Sequence, residues 1–536
     1  MATPVNLSGV CWPSRSACCL GTGYTIPAAM SHGLDPEMLD HPHKNAVLTF
    51  LYAHLPTPPV SAAAALSCAA AAEVPDDVDR ISALLDDLLL RVVSRLPAKD
   101  GARTAALSTR WRGLWRAAPL ALADTHLLPG GEVRPPHPGA ASRAVRHAVS
   151  AALGAHPGPF PFVSLTCGFL DAVDADRAAL ARWFQLLATK GVEELVFVNR
   201  PWPLPGLRLP AALFSCAALR RLCLGAWRLV DTAALPRGTC FPNLRDLVLG
   251  AVAMEDRDLD FLLSASPVLE TLAVVGSLPP PLRARLASRS LQSAQFCLSA
   301  VEEVAAVDCP CLERLIIWMS GSLLGSAGTF GMRIKIGHAP RRSILGYLQP
   351  GAHVLEIGNT IIKPGTQPSP KTTVPSVHML ALRVHFRIRN EVKMLLSFLR
   401  CFPDVETLCV ESDETHEPTG NVKHKFWQEA GHIECVQSHL KTLVFREFHG
   451  EPSELAFLKF IAENAQVLEK MVLVLKLGRH SAPEQVAEKL RALESARWAS
   501  GSSKLRSLVS RLGEGVSAWS LRAGADSTCN DPFMCF

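Results

Sequence analysis

The chain has 536 residues, 48% hydrophobic and 19% charged, with a formal net charge of +5. That length allows two or three domains with a substantial core, and so small a charge without a dense Lys/Arg run gives no electrostatic footprint for nucleic acid. The 16 cysteines are scattered with no C-x-x-C pair, which argues against a zinc or thioredoxin-like site; the closest pairs, Cys18-Cys19 and Cys309-Pro-Cys311, read as free thiols in a reducing compartment.

Residues 1–75 mix Ser, Gly, Pro and Ala without sustained periodicity and read as a mostly disordered leader, with one short helix near Ala46 to Leu55. Pro13 and Arg15 interrupt what would be the apolar core of a signal peptide. The stretch from Ala62 to Ala72 is too short to span a bilayer. The expectation is a soluble protein of the cytoplasm, the nucleus or both, with no membrane contact.

Residues 76–120 hold three short predicted helices. Leu85, Leu88, Val92 and Leu96 recur every three or four residues, with Leu89 and Val93 widening the stripe into one broad apolar face. Asp86 and Asp87 favour a helix start at that point, and Pro97 ends the segment. Asp100 can cap a second helix from Gly101 to about Leu107. Ser108 can cap a third, on which Trp111, Leu114 and Trp115 share a face. So small a module buries too little surface to stand alone and should lean on the next domain and on a partner.

From Ile81 to Trp115 this segment resembles an F-box, through Leu84, the Asp86-Asp87-Leu88-Leu89 run, Leu96-Pro97, Asp100, Leu107-Ser108 and Arg110-Trp111-Arg112. The resemblance implies docking on the Skp-type adaptor of an SCF ubiquitin ligase, and through it on a cullin scaffold. It implies adaptor contacts drawn from Leu84, Leu88, Leu89, Val92, Leu96, Leu107, Trp111 and Trp115, some of which must instead form the module's own core. The family usually has Leu-Pro where this chain has Leu84-Leu85, which removes a fixed φ at the start of the first helix.

Residues 121–140, rich in Gly and Pro, read as a loose connector. Residues 141–425 carry a repeat. PNLRDLVL from Pro242, PVLETLAV from Pro267, PCLERLII from Pro310 and PDVETLCV from Pro403 share one pattern. Looser copies begin at Val192, Leu219, Leu440 and Leu468, and a weak one lies at Leu291. The spacing from Pro242 to Pro267 fits a leucine-rich repeat, and Met332 to Ile336, Val354 to Ile357 and Leu380 to Val384 are further expected strands of the array. Each such strand needs its neighbours to complete a core. The expected fold is therefore α/β: a small helical module followed by a curved solenoid of parallel strands backed by helices or irregular turns.

Side chains flanking the strand leucines point away from that core. They include Asp246 and Val248, Thr271 and Ala273, Arg314 and Ile316, Thr407 and Cys409, and Thr442 and Val444, a mostly small or apolar set that suits a target protein better than a polyanion. Loops at the strand ends are an equal alternative as the binding surface.

In residues 426–476 the pattern is strand, loop, amphipathic helix, strand, with Leu455, Leu458, Ile461 and Ala465 on one helical face beside Phe457 and Phe460. This stretch resembles the FBD region that closes many plant F-box and leucine-rich-repeat proteins, and an atypical last unit would cap the array. Residues 477–536 read as one more helix, Pro483 to Trp498, and a polar tail.

No nucleophile elbow, phosphate loop, dinucleotide fingerprint or zincin motif is present. Asp171, Asp174 and Asp176 lack the pattern of a calcium loop and read as a helix start. No cofactor or metal is expected. The resemblance implies a non-catalytic target receptor of a ubiquitin ligase; the alternative is an intracellular scaffold with a degenerate F-box, motivated by Leu85.

Overall fold

The computed structural model describes, apart from short breaks, residues 47–60, 81–127, 138–318, 331–476, 491–510 and 524–533. They fall into two compact units that divide between Leu269 and Glu270.

The first unit begins with a helical turn within residues 47–52, inside the expected leader. Three short helices follow, α1 (Asp86–Ser94), α2 (Ala98–Thr104) and α3 (Thr109–Ala117). Ser108 caps α3 by accepting from the Trp111 amide at 3.3 Å, as its hydroxyl allows at an N-cap. The second helix starts three residues earlier than expected, because Pro97 suits a position just before a helix whose first amides need no partner.

Five parallel strands come next, β1 (Ala121–Ala123), β2 (Phe162–Gly168), β3 (Glu194–Asn199), β4 (Arg221–Gly225) and β5 (Asp246–Gly250), stacked in chain order. Registers place Leu122, Val163, Leu195, Leu222 and Leu247 in one row, and all five are fully buried. This row is the core that no single repeat can close. The helices α4 (Pro138–Ala155), α5 (Asp174–Thr189) and α6 (Asp256–Ser264) belong to the same unit. Asp174 and Asp176 lie in the first turn of α5, where negative charge is favoured. The sheet starts at β1, so the first residues of the expected connector are its first strand.

The second unit contains a longer parallel sheet and a second sheet. In chain order its strands are β6 (Thr271–Val275), β7 (Leu282–Ala287), β8 (Ser293–Cys297), β9 (Val301–Asp308), β10 (Arg314–Trp318), β11 (Met332–His338), β12 (Ile344–Leu348), β13 (His353–Ile357), β14 (Thr360–Ile361), β15 (Met379–Val384), β16 (Thr407–Ser412), β17 (Thr442–Phe448), β18 (Lys470–Lys476) and β19 (Lys504–Ser510). The long, front sheet runs β6-β8-β10-β12-β15-β16-β17-β18-β19, and the other runs β14-β13-β11-β9-β7. Helices α7 (Arg389–Cys401), α8 (His424–Gln428) and α9 (Pro452–Asn464) alternate only with the later front strands.

The copies at Val192, Leu219 and Pro242 lead into β3, β4 and β5 of the first unit, and the other five regular and loose copies lead into front strands of the second, as does the weak one at Leu291. Two expected array strands sit elsewhere. Residues 332–336 and 354–357 are strands, but of the second sheet, while the front strand between them is β12. Their alternating burial, half inward and half outward, is what a sheet with one solvated face produces. From β6 to β14 this sheet stands where helices or irregular turns were expected. Its outward side chains form ion-pair rungs, Arg283 to Glu302 at 2.8 Å, Lys335 to Glu303 at 3.3 Å and Arg333 to Glu356 at 3.5 Å.

Candidate functional site

The three-helix module separates its apolar residues into two sets. Leu89 and Val93 of α1 and Trp111 and Leu114 of α3 are buried and form its core. Leu96 and Trp115 are half-buried, the Trp115 ring lying 5.3 Å from that of His156. His156 in turn bonds the Ala118 carbonyl at 3.0 Å, and Pro97 bridges to Ala121 of β1. The module therefore leans on the strand unit, as its size requires. Of the expected adaptor contacts, Leu89 and Trp111 are core residues and are not free to touch a partner.

The other set faces outward. Ile81, Leu84, Leu85, Leu88, Val92 and Leu107 are exposed, Leu85 to 75% and Leu107 to 67%. They are six of the eleven large aliphatic side chains exposed among the described residues, gathered within a short stretch of chain. A cluster of this kind marks an interaction surface.

Arg110 holds the lead-in to α1 in place. Its guanidinium donates to Asp86 Oδ1 at 2.7 and 2.8 Å, to the Leu84 carbonyl at 2.6 Å and to the Ser82 carbonyl. Leu85 sits at φ −66°, within the range that a proline ring would impose. Arg110 supplies from a distance part of the order that the missing proline would supply locally, and this role was not foreseen from the sequence.

The expected target-facing residues of the sheets are less accessible than their positions suggest. Asp246, Val248, Thr407 and Thr442 are half-buried, and Asp246 accepts from Arg221 at 3.3 Å. Thr271, Arg314 and Ile316 are buried, together with Ala273, Cys409 and Val444. In the second unit part of the cover comes from residues 524, 526, 529 and 533. Arg314 donates to the carbonyls of Asp526 at 2.5 Å and Cys529 at 2.8 Å, Ser293 donates to that of Gly524 at 3.1 Å, and Arg446 donates to that of Phe533 at 2.6 Å. In the first unit Leu51 lies against Gly225 and Gly250, where an added Cβ would come within 2.8 and 2.6 Å of its methyl group. Tyr52 donates to the Thr166 carbonyl at 3.1 Å. Glycine in a strand often marks such a close approach.

Among the described residues no three His, Cys, Asp or Glu side chains are grouped as a metal site, and no described helix is long and apolar enough to cross a membrane. Eight of the described cysteines are buried free thiols; burial pushes Cys167, Cys216 and Cys435 up to about 12, which keeps them protonated and unreactive at neutral pH.

Comparison with known families fits this geometry. The leucine-rich repeats of the FBD-associated F-box protein At5g56370 match residues 180–410, and the FBD matches residues 428–473. Residues 180–410 are thus similar to the repeats of this family and residues 428–473 to its FBD. Similar proteins of Arabidopsis thaliana include a putative F-box/FBD/LRR-repeat protein, At4g00315, 32% identical over 37% of this chain and 43% of the relative. Another, FBD-associated F-box protein At4g13985, is 30% identical over 37% of this chain and 42% of the relative. The match thus spans less than half the length of these two relatives, whereas F-box/LRR-repeat protein 13 is 25% identical over 75% of this chain and 90% of its own length.

The FBD comprises β17, α9 and β18 with the short helical turns before them. Glu451 and Glu454 form a reciprocal capping box at the start of α9, with Pro452 in its first turn. Phe457, Phe460 and Trp427 pack as one aromatic group, with Trp427 5.1 Å from Phe457 and 5.2 Å from Phe460. This FBD does not terminate the sheet: β19 continues it in parallel register on β18, so the cap expected at residues 426–476 and the polar tail expected beyond it both give way to one more strand.

Proposed function

We propose that this chain is the target-binding subunit of an SCF-type ubiquitin ligase, docking on a Skp-type adaptor through residues 81–107 and holding a protein target on the repeat units. The observation that carries the reading is the outward apolar set Ile81, Leu84, Leu85, Leu88, Val92 and Leu107 on a module whose core is already filled by Leu89, Val93, Trp111 and Leu114. Such a surface gains by being covered, at about 25 cal/mol per Å² of apolar area removed from water. Relatives named as F-box proteins point the same way. In this role the chain supplies proximity: it raises the effective concentration of target lysines near a charged conjugating enzyme, and other subunits carry out the transfer.

Co-expression with a plant Skp-type adaptor, followed by affinity capture, tests the docking half. Wild type should retain the adaptor, and the double substitution Leu88→Asp with Val92→Asp should release it while leaving the circular dichroism spectrum unchanged, since both side chains are exposed. Wild-type protein that elutes folded and without adaptor would overturn the assignment.

A further inference from the structure

Residues 524–526, 529 and 531–533 are held on the front sheet of the second unit in the manner of a bound peptide. Guanidinium and hydroxyl groups of the sheet grip their main chain: Ser293 of β8 takes the Gly524 carbonyl, Arg314 of β10 takes those of Asp526 and Cys529, and Arg446 of β17 takes that of Phe533. Every peptide has carbonyls, so this part of the grip is indifferent to sequence. Selectivity comes from one side chain. The Phe533 ring, 1% exposed, stands edge-on to Tyr347 at 5.2 Å over Gly346. A Cβ at position 346 would lie 3.1 Å from the ring and 2.5 Å from Ala381, so glycine and alanine on adjacent strands leave the space that the ring uses.

Charge agrees with shape. The segment brings Asp526 and Asp531 to a face that presents Arg314 and Arg446, and Asp531 Oδ1 accepts from the Phe533 amide at 2.9 Å, turning the chain as the ring enters. At the other end a Cβ on Gly524 would meet Gln295 at 2.6 Å and Ile316 at 3.1 Å. These contacts cross β8, β10, β12 and β17 on the side facing away from the strand core, where a repeat sheet presents a binding surface.

We propose that this face is a seat for a turn-forming, acidic peptide segment bearing an aromatic residue, and that residues 524–533 are its resident occupant, which a target segment of the same chemistry displaces. The proposal deepens the receptor reading by locating where a target binds, and rests on that reading only for the word target. The seat can be tested without adaptor or target.

The probe is a fluorescein-labelled synthetic peptide of residues 524–536, titrated against the full chain and read by anisotropy. Wild type, its seat filled, should bind it at least tenfold more weakly than the full chain carrying Phe533→Ala. Adding Gly346→Val to that variant should remove binding, as should using a peptide in which Phe533 is alanine. Equal binding by wild type and Phe533→Ala, or none by either, would overturn the proposal. Hydrogen exchange on the unmutated full chain supplies an arm that needs no variant to fold: amides of 524–533 should exchange at least a hundredfold faster than those of β10 and β12, because an occupant that can leave opens by itself. Exchange of the two at one common rate would mean that the segment is an integral part of the fold. Neither arm involves the adaptor, so failed adaptor capture would leave this result standing, and the reverse also holds.

Discussion

Replacing Arg342 with leucine should stabilise the protein by about 3 kcal/mol. In each repeat the second residue after the proline points into the core: Leu244, Leu269, Leu312, Val377 and Val405 are all 0–1% exposed. Arg342, two residues after Pro340, occupies the same position and is 0% exposed. None of its three guanidinium nitrogens has a hydrogen-bond partner among the described residues, so the side chain gives up hydration without compensation. Burial lowers its pKa to about 10 from 12.5, with the Cys309 thiol opposing weakly. A shift of that size corresponds to about 3 kcal/mol at 1.36 kcal/mol per unit. The sign follows from linkage: the folded state binds this proton less tightly than the unfolded chain, so the penalty is full below about pH 10 and fades as pH rises from there toward 12.5. Urea unfolding of wild type and Arg342→Leu at pH 7.5 and 10.5 measures both effects, as a higher midpoint for the variant and a smaller gap at the higher pH. A variant less stable than wild type by 1 kcal/mol or more would refute the reasoning and show that an anion neutralises the guanidinium in solution.

Trp111→Ala should cost about 3–5 kcal/mol, since the ring is a buried part of a small core; a thermal melt unchanged within a degree would contradict that placement. Leu85→Pro should be tolerated and add about 0.4–1 kcal/mol, because φ is already −66°, and a clear loss on chemical unfolding would show that the backbone there needs its amide. His385 lies against Glu391 at 3.0 Å and Asp413 at 3.3 Å, with Arg383 paired to Asp413 at 2.9 Å beside it. Burial alone would lower the His385 pKa, but hydrogen bonds and charge from the two carboxylates outweigh it and raise the value to about 9. The resulting stabilisation, about 2 kcal/mol after allowing for partial exposure, is complete below pH 6.5 and lost as pH rises through 9, so His385→Gln should destabilise strongly at pH 6 and hardly at pH 9.5; equal loss at both would exclude the charged pair.

The front strands were legible because Leu-x-x-Leu-x-Leu states both the period and the inward face. The copy at Pro340 carries no visible repeat signature, because Arg342 and Ser343 replace the residues that make the pattern legible. Residues 332–336 and 354–357 could be read as strands from their alternation, but alternation does not say to which sheet a strand belongs. In α1 the apolar positions cover more than one face, so periodicity could not distinguish Leu89 and Val93, which meet the core, from Leu88 and Val92, which face outward. The covering of Arg314 and Ile316 depends on carbonyls more than 200 residues away and leaves no local signal.

That separation also matters during synthesis. Even Arg446, the last contact of the seat to be made, and Phe533 are 87 residues apart, so at about 5–20 residues per second the complete seat precedes its occupant by about 4–17 s. Throughout that interval Ile316, Gly346 and Tyr347 lack the segment that later lies on them. The nascent chain then offers an apolar strip to chaperones, or to any acidic, aromatic segment that reaches it first, and the resident segment must win its place from whatever arrived earlier.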